Sequence, residues 1–82
     1  MFFVYILYSK LHDRIYVGMT ENIELRLSQH NLGQNTSTKA YVPWMLIYKE
    51  QFETRIEARI KEKKFKTSSR RRFIRKNYLL NN

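Results

Sequence analysis

An unbroken apolar run near the start of the chain, Phe2-Phe3-Val4-Tyr5-Ile6-Leu7-Tyr8, constrains the fold more than any other feature. Its residues show no alternation of apolar and polar positions, which is typical of a β-strand buried on both faces. The run is far too short to cross a bilayer, and no basic residue precedes it as one would in a secretory signal. The sequence therefore predicts a central strand of a sheet and no membrane partner.

Two later segments also have the composition of strands. Turn residues at positions 9–13 lead into the β-rich segment Ile15-Tyr16-Val17, so the first two strands are predicted to form a hairpin. Residues 34–43 are polar and end at Pro43, which favours a loop. Residues 44–52 are aromatic and aliphatic enough to form a third strand.

Three helices are predicted from their start and stop signals. The first covers residues 21–32, with Thr20 or Asn22 as its cap and Gly33 as its stop. The segment from Thr54 to Glu57 has the capping-box pattern and opens a helix that runs to about residue 66. Ser68 or Ser69 can cap a last helix that reaches about Leu80. The order β-β-α-β-α-α indicates an α/β protein of the α+β type, with one domain over residues 1–82.

Charge points to the class of partner. Sixteen Lys and Arg against seven Asp and Glu give a formal net charge of +9. Such an excess repels itself in a compact fold and commonly serves to attract polyanions, so nucleic acid is the leading partner. The alternatives are a basic surface without a particular ligand and a helix lying on a membrane surface. Cysteine is absent, which fits a reducing compartment, most simply the cytoplasm.

Two polar residues of the first helix share its apolar stripe. Arg26 and His30 recur with Ile23 and Leu27 at helical spacing, on the side that should face the sheet. A charged side chain is costly there unless an anionic group meets it. The alternative is that Arg26 extends to the rim and His30 is an ordinary core histidine with its hydrogen bonds satisfied.

A carboxylate occupies the packed face of the second helix. Glu62 shares a face with Ala58 and Phe65 and is flanked in sequence by four lysines. Positive surroundings keep a carboxyl group ionised, and an ionised carboxylate suits a hard divalent cation. The alternative is an ordinary ion pair within the helix. Glu57 is already explained as the capping-box partner of Thr54.

Two tyrosines fall on adjacent strands of the hairpin. If residues 9–12 form its loop, Tyr5 lies directly opposite Tyr16 and both side chains share one face of the sheet. A slip of one residue would place them on opposite faces. Two cross-strand tyrosines can equally be a packing pair.

Basic residues near the end of the chain are candidates for contact with phosphate. Arg70, Arg71 and Arg72 fall in the first turn of the last helix, where cations oppose the helix dipole. Phosphate binding would explain them, and a solvated basic face would explain them equally well. Lys39, in the predicted loop, is a further candidate for nucleic-acid binding.

The order of these residues resembles the GIY-YIG nuclease family over nearly the whole chain. Phe3-Val4-Tyr5 stands at the first motif and Tyr16-Val17-Gly18 at the second, with Phe3 where the family has glycine. Arg26 then matches the catalytic arginine, His30-Asn31 follows as in many members, and Glu62 matches the metal-binding glutamate. The segments that resemble the small single-domain bacterial branch are Ser37-Thr38-Lys39, Pro43-Trp44 and Tyr48-Lys49-Glu50.

The resemblance implies a three-stranded antiparallel sheet flanked by three helices, and an endonuclease that uses one divalent metal ion, Mg²⁺ or Mn²⁺. The implied catalytic set is Tyr5, Tyr16, Arg26, His30 and Glu62, with Glu62 as the metal ligand. A tyrosine would take the proton of the attacking water with His30 as a relay. We expect Tyr5 in that role, with its pKa lowered by neighbouring positive charge.

The implied substrate is DNA, including structured or nicked DNA, and no small-molecule cofactor is expected. The alternative is a nucleic-acid-binding module on the same scaffold, with catalysis lost or dependent on a partner.

Overall fold

The apolar run is the central strand of a three-stranded antiparallel sheet, as the sequence predicts. The structure is a computed structural model. It describes residues 1–79, except for the side chains of residues 68–70 and 78. Strands β1 (Phe2–Ser9), β2 (Arg14–Thr20) and β3 (Met45–Phe52) lie in the order β2-β1-β3. The helices are α1 (Ile23–Asn31), α2 (Arg55–Phe65) and α3 (Ser68–Ile74), with a 3₁₀ turn at Lys39–Tyr41 and a π turn at Arg75–Leu79.

The hairpin register differs from the predicted one by two residues. Ser9 pairs with Arg14, so residues 10–13 form the loop, and Asp13 takes the left-handed conformation (φ 51°) that the turn requires. Tyr5 therefore pairs with Gly18, and the predicted direct pairing of Tyr5 with Tyr16 is wrong. A shift of two residues preserves the face, so both tyrosines still lie on the same side of the sheet.

The helix signals in the sequence are largely confirmed. Asn22 caps α1 by accepting a hydrogen bond from the backbone N–H of Leu25 (3.1 Å), and Gly33 follows the helix with φ +75°. Thr54 caps α2 by accepting from the N–H of Glu57 (3.2 Å), and its hydroxyl donates to the Glu57 carboxylate (2.8 Å). These contacts fix where both helices begin, and hence where their inward-facing residues lie.

The last helix begins earlier than predicted. The backbone N–H of Arg71 donates to the carbonyl of Thr67 (3.0 Å), so Thr67 takes the cap position, one residue before Ser68 and two before Ser69, the predicted alternatives. The α-helix gives way to the π turn at Arg75, and the predicted end at Leu80 lies outside the described residues.

The sheet separates two hydrophobic clusters because successive residues of β1 point to opposite faces. On one face, Val4 and Ile6 pack with residues of α2 and α3. On the other, Tyr5 and Leu7 pack with residues of α1 and with the segment that contains the 3₁₀ turn. Within residues 1–79, no helix combines the length and the apolar composition needed to cross a membrane.

Candidate active site

Tyr5 lies across the second strand, over Gly18. The Tyr5 side chain is buried, with 2% of its surface exposed. A Cβ atom added at Gly18 would come within 2.5 Å of the Tyr5 hydroxyl oxygen and 2.6 Å of its Cζ atom, closer than real Cβ contacts. The glycine of the second sequence motif is therefore what allows the Tyr5 ring to pass over β2.

Tyr16 joins Tyr5 in an aromatic cluster on the same face of the sheet. The Tyr16 ring centroid lies 6.2 Å from that of Tyr5, 4.8 Å from that of His30 and 6.3 Å from that of Trp44. Tyr5 is buried whereas Tyr16 is only partly buried. The two tyrosines thus share one cluster but differ in their access to solvent.

His30 is fully buried and both of its ring nitrogens have partners. Nε2 lies 3.0 Å from the Tyr5 hydroxyl oxygen, and Nδ1 lies 2.7 Å from the hydroxyl oxygen of Thr38. Burial lowers the pKa of His30, and the positive charge of Arg26 lowers it further. The imidazole is therefore neutral at neutral pH, with one nitrogen carrying a hydrogen and the other accepting one.

Arg26 contributes a guanidinium to a cleft beside His30. One of its terminal nitrogens donates to the side-chain oxygen of Gln29 (3.3 Å), but its Nε is buried without an acceptor among residues 1–79. The cleft has a volume of about 200 Å³ and is lined by Arg26, Gln29, His30, Gln34 and Asn35. A buried N–H that lacks an acceptor is costly, so the cleft is suited to an anionic oxygen.

Glu62 is nearly buried, at 9% exposure, and lies beside one cation of α2 and one at the C-cap of that helix. Its carboxylate pairs with Lys66 (3.3 Å) and, more loosely, with Arg59 (3.9 Å). The alternative interpretation from the sequence, an ion pair within the helix, is thus present in the structure. Glu62 is also close enough to Tyr5 for its charge to raise the pKa of that phenol.

Glu62 supplies a single carboxylate, which suits a hard cation only if that cation keeps most of its water. Among residues 1–79, no group of three or more His, Cys, Asp or Glu side chains is arranged to hold a metal ion. Mg²⁺ is commonly held by only one or two carboxylates and retains several water ligands. A site built on Glu62 alone is compatible with that chemistry, with the anionic substrate as a further source of oxygen ligands.

The expected lowering of the Tyr5 pKa is wrong in this structure. Burial, which penalises the charged phenolate, raises the pKa of Tyr5 to about 12, and the charges of Tyr16 and Glu62 add to the rise. The Arg26 guanidinium lies close enough to act as a hydrogen-bond donor and lowers the pKa, but burial outweighs it. Tyr5 is consequently a neutral phenol at neutral pH.

The basic residues proposed to contact phosphate lie in different layers of the protein. Lys39 is exposed on the 3₁₀ turn, in the layer that contains α1, whereas Arg71 and Arg72 are exposed on α3 in the opposite layer. The side chain of Arg70 lies outside the described part of the structure. A nucleic acid would have to pass an edge of the sheet to contact both groups.

Two polar residues that join α1 to the following loop, buried Thr38 and exposed Asn31, were not assigned a role from the sequence. Thr38 is 1% exposed, and besides contacting His30 it accepts a hydrogen bond at its carbonyl from the indole N–H of Trp44 (3.0 Å). The side chain of Asn31 donates to the Trp44 carbonyl (3.1 Å) and accepts from its N–H (2.6 Å). The contacts of His30 with Thr38 and of Asn31 with Trp44 both cross from α1 to the loop. Helical periodicity does not predict which residues of an irregular loop a helix will contact.

The chain is similar to known proteins in sequence and in fold. The family model described as the GIY-YIG catalytic domain matches residues 1–78. UPF0213 proteins of Staphylococcus haemolyticus and Staphylococcus aureus are 36% and 37% identical to the chain over 74 and 75 residues, covering 89% of both chains in each case. The solution NMR structure of a UPF0213 protein from Bacillus halodurans has a TM-score of 0.57 at 23% identity, covering 99% of this chain and 90% of that one, and shows the same fold.

Proposed function

The chain belongs to the GIY-YIG family, and on this premise we propose that it is a divalent-metal-dependent endonuclease that hydrolyses phosphodiester bonds in DNA, including structured or nicked DNA. The observation that supports the proposal most is the hydrogen-bonded contact of Tyr5 with buried His30, beside Arg26, whose Nε has no acceptor among the described residues. This arrangement places a group that can accept a proton next to a group that can bind phosphate.

Arg26 is proposed to bind the scissile phosphate. Its Nε–H has no acceptor among the described residues, and Arg26 lines the cleft. A planar guanidinium can donate two parallel hydrogen bonds to phosphoryl oxygens. In the transition state these donors would meet negative charge that develops on the same oxygens, which is the most effective position for electrostatic stabilisation.

Glu62 is proposed to hold the metal ion, Mg²⁺ or Mn²⁺. When bound, such an ion polarises the phosphate and stabilises the leaving oxygen. Before the metal binds, the carboxylate is paired with Lys66 and Arg59. These pairs are partly exposed to solvent, so they can be exchanged for a cation at modest cost.

Tyr5 and His30 are proposed to remove the proton of the attacking water. With a pKa of about 12, Tyr5 is ionised in roughly one molecule in 10⁵ at pH 7, so phenolate by itself is scarce. If Tyr5 passes its own proton to His30 as it accepts one from water, no free phenolate is needed. The water oxygen then bonds to phosphorus, the opposite P–O bond breaks, and the leaving oxygen takes a proton from solvent.

A second candidate is a nucleic-acid-binding module whose catalysis is lost or dependent on a partner. The observation that favours it is the double ion pair of Glu62, because Lys66 and Arg59 already neutralise the carboxylate that would hold the metal. The large positive charge of the chain suits either candidate.

The two candidates are separated by incubating the protein with end-labelled duplex, single-stranded, nicked and branched DNA, and with RNA, in Mg²⁺, Mn²⁺ or chelator. The endonuclease is expected to release internal fragments from at least one DNA only when metal is present. Binding that weakens with salt, without cleavage of any substrate in either metal, would instead support the binding module.

Arg26→Lys is expected to lower kcat/KM by roughly a hundred- to a thousand-fold, the usual cost of losing one preorganised donor to developing charge. Lysine keeps the positive charge but loses the planar fork that binds two phosphoryl oxygens. Folding should survive because a lysine can also extend from the partly buried position to the cleft. Cleavage kinetics measure kcat/KM of the wild type and the variant, and unfolding curves of both show whether the variant is folded. Full activity in the variant would show that Arg26 has a structural role only.

A further inference from the structure

Three buried side chains form a continuous hydrogen-bonded chain that ends at Thr38. The Tyr5 hydroxyl lies 3.0 Å from Nε2 of His30, and Nδ1 of His30 lies 2.7 Å from the Thr38 hydroxyl. The exposed fractions of the three residues are 2%, 0% and 1%. In such a chain the direction of each hydrogen bond constrains the next. Thr38, at the far end, can therefore determine whether the Tyr5 hydroxyl donates to His30 or accepts from it.

We infer that Thr38 is a positioning residue that holds His30 as the tautomer with its hydrogen on Nδ1, so that Nε2 accepts the hydroxyl hydrogen of Tyr5. The consequence for catalysis rests on the proposed function, in which Tyr5 must release its own proton as it takes one from water. The tautomer itself is a property of the folded protein and does not depend on cleavage.

The direction of the hydrogen bond between Tyr5 and His30 follows from which groups can donate and which can accept. Two buried hydroxyls flank His30, and the phenol of Tyr5 is a much stronger acid than the alcohol of Thr38, so Tyr5 is the better donor of the two. Arg26, which lies beside the Tyr5 oxygen, carries only donors and cannot accept the phenol hydrogen. Among the described residues, the acceptor within hydrogen-bonding distance of the Tyr5 hydroxyl is Nε2 of His30.

The direction of the hydrogen bond between His30 and Thr38 follows from the neutral state of His30. Burial and the charge of Arg26 both disfavour the imidazolium, so only one ring nitrogen carries a hydrogen. If Nε2 accepts from Tyr5, Nδ1 must be the donor, and the Thr38 hydroxyl oxygen is the acceptor at 2.7 Å. The hydroxyl of threonine can rotate to accept, whereas an apolar side chain of the same shape cannot.

Thr38 is fixed by its backbone, independently of its hydroxyl. Its N–H donates to the carbonyl of Asn35 (3.2 Å), and its carbonyl accepts from the N–H of Tyr41 (3.1 Å) and from the indole of Trp44 (3.0 Å). Replacing the hydroxyl by a methyl group leaves all three bonds available. Thr38→Val therefore removes the acceptor for Nδ1 with the least change elsewhere, and Thr38→Ser retains it.

The test is a long-range ¹H–¹⁵N correlation spectrum of the ¹⁵N-labelled full chain at neutral pH, which shows which imidazole nitrogen carries the hydrogen. His12 is the other histidine and is exposed, so its signals are identified by their loss in His12→Gln. We expect His30 to be the Nδ1–H tautomer in the wild type and in Thr38→Ser. In Thr38→Val we expect a mixture of tautomers or the Nε2–H form.

The wild type in the Nε2–H form, or an unchanged tautomer in Thr38→Val, would overturn the inference whether or not the protein cleaves DNA. Retained Trp44 fluorescence shows that the variant is folded, and if Thr38→Val fails to fold, the wild-type and Thr38→Ser spectra still decide the tautomer. Where cleavage is measurable, Thr38→Val should lower kcat roughly ten- to a hundred-fold with KM unchanged, the range for groups that orient a functional histidine. Thr38→Ser should restore kcat, and a change in KM alone would contradict the assigned role.

Discussion

Glu62→Gln is expected to abolish metal-dependent cleavage while leaving DNA binding nearly intact. The amide keeps the shape of the side chain but lacks the charge that a hard divalent cation requires. Glu62 is the carboxylate whose charge raises the pKa of Tyr5, which shows that it lies near the candidate site. Cleavage across a series of Mg²⁺ and Mn²⁺ concentrations, together with DNA binding measured in chelator, distinguishes loss of the metal from loss of the substrate.

Glu57→Gln is the matched control because it changes a glutamate of the same helix. Glu57 is exposed and engaged with Thr54 in the capping box, so its replacement should cost at most about 1 kcal/mol of stability and leave cleavage unchanged. Loss of cleavage in Glu57→Gln with activity retained in Glu62→Gln would place the metal at the other end of α2. Binding abolished in Glu62→Gln would instead give Glu62 a structural role through Lys66 and Arg59.

Local sequence patterns were sufficient to predict most of the framework of the site. The unbroken apolar run identified the central strand, and the spacing of Arg26 and His30 on α1 placed both on the side that faces the sheet. The capping box at Thr54 predicted where α2 begins, and the spacing of Glu62 from Ala58 and Phe65 predicted that it lies on the packed face. Each of these inferences depends on residues within a few positions of one another, where periodicity and capping are informative.

Properties that depend on distant parts of the chain could not be predicted in the same way. Neighbouring positive charge suggested a lowered pKa for Tyr5, but the ring is buried between α1 and the sheet, and the cost of desolvating a phenolate decides the outcome. The hairpin register depends on which loop residue takes the positive φ. That residue is Asp13, and the sequence did not distinguish it from the other turn residues. Thr38 contacts a histidine eight positions away through a loop without periodicity.

Tyr5→Phe is expected to lower kcat by roughly 10²–10⁴-fold, the usual contribution of general acid–base catalysis. Phenylalanine keeps the ring that packs over Gly18 and removes only the hydroxyl between the attacking water and His30. Because His30 must be neutral to accept a proton and its pKa is lowered from the ordinary value of about 6.5, the wild-type rate should rise with pH below about 6.5 and then level off. Tyr5→Phe should lose this rise, which pH–rate profiles of the wild type and the variant measure.

Tyr16→Phe is the matched comparison because Tyr16 shares the cluster but is partly exposed and does not bond to His30 in the described structure. It should be slower than the wild type and retain the rise with pH, since the path from Tyr5 to His30 is unchanged. If Tyr16→Phe loses the rise with pH and Tyr5→Phe retains it, Tyr16 is the residue that takes the proton from water. Near-normal rates in both variants would make the tyrosines a packing pair and leave His30 as the base. A wild-type rate that continues to rise through neutral pH would show that Tyr5, with a pKa of about 12, acts as phenolate without passing its proton to His30.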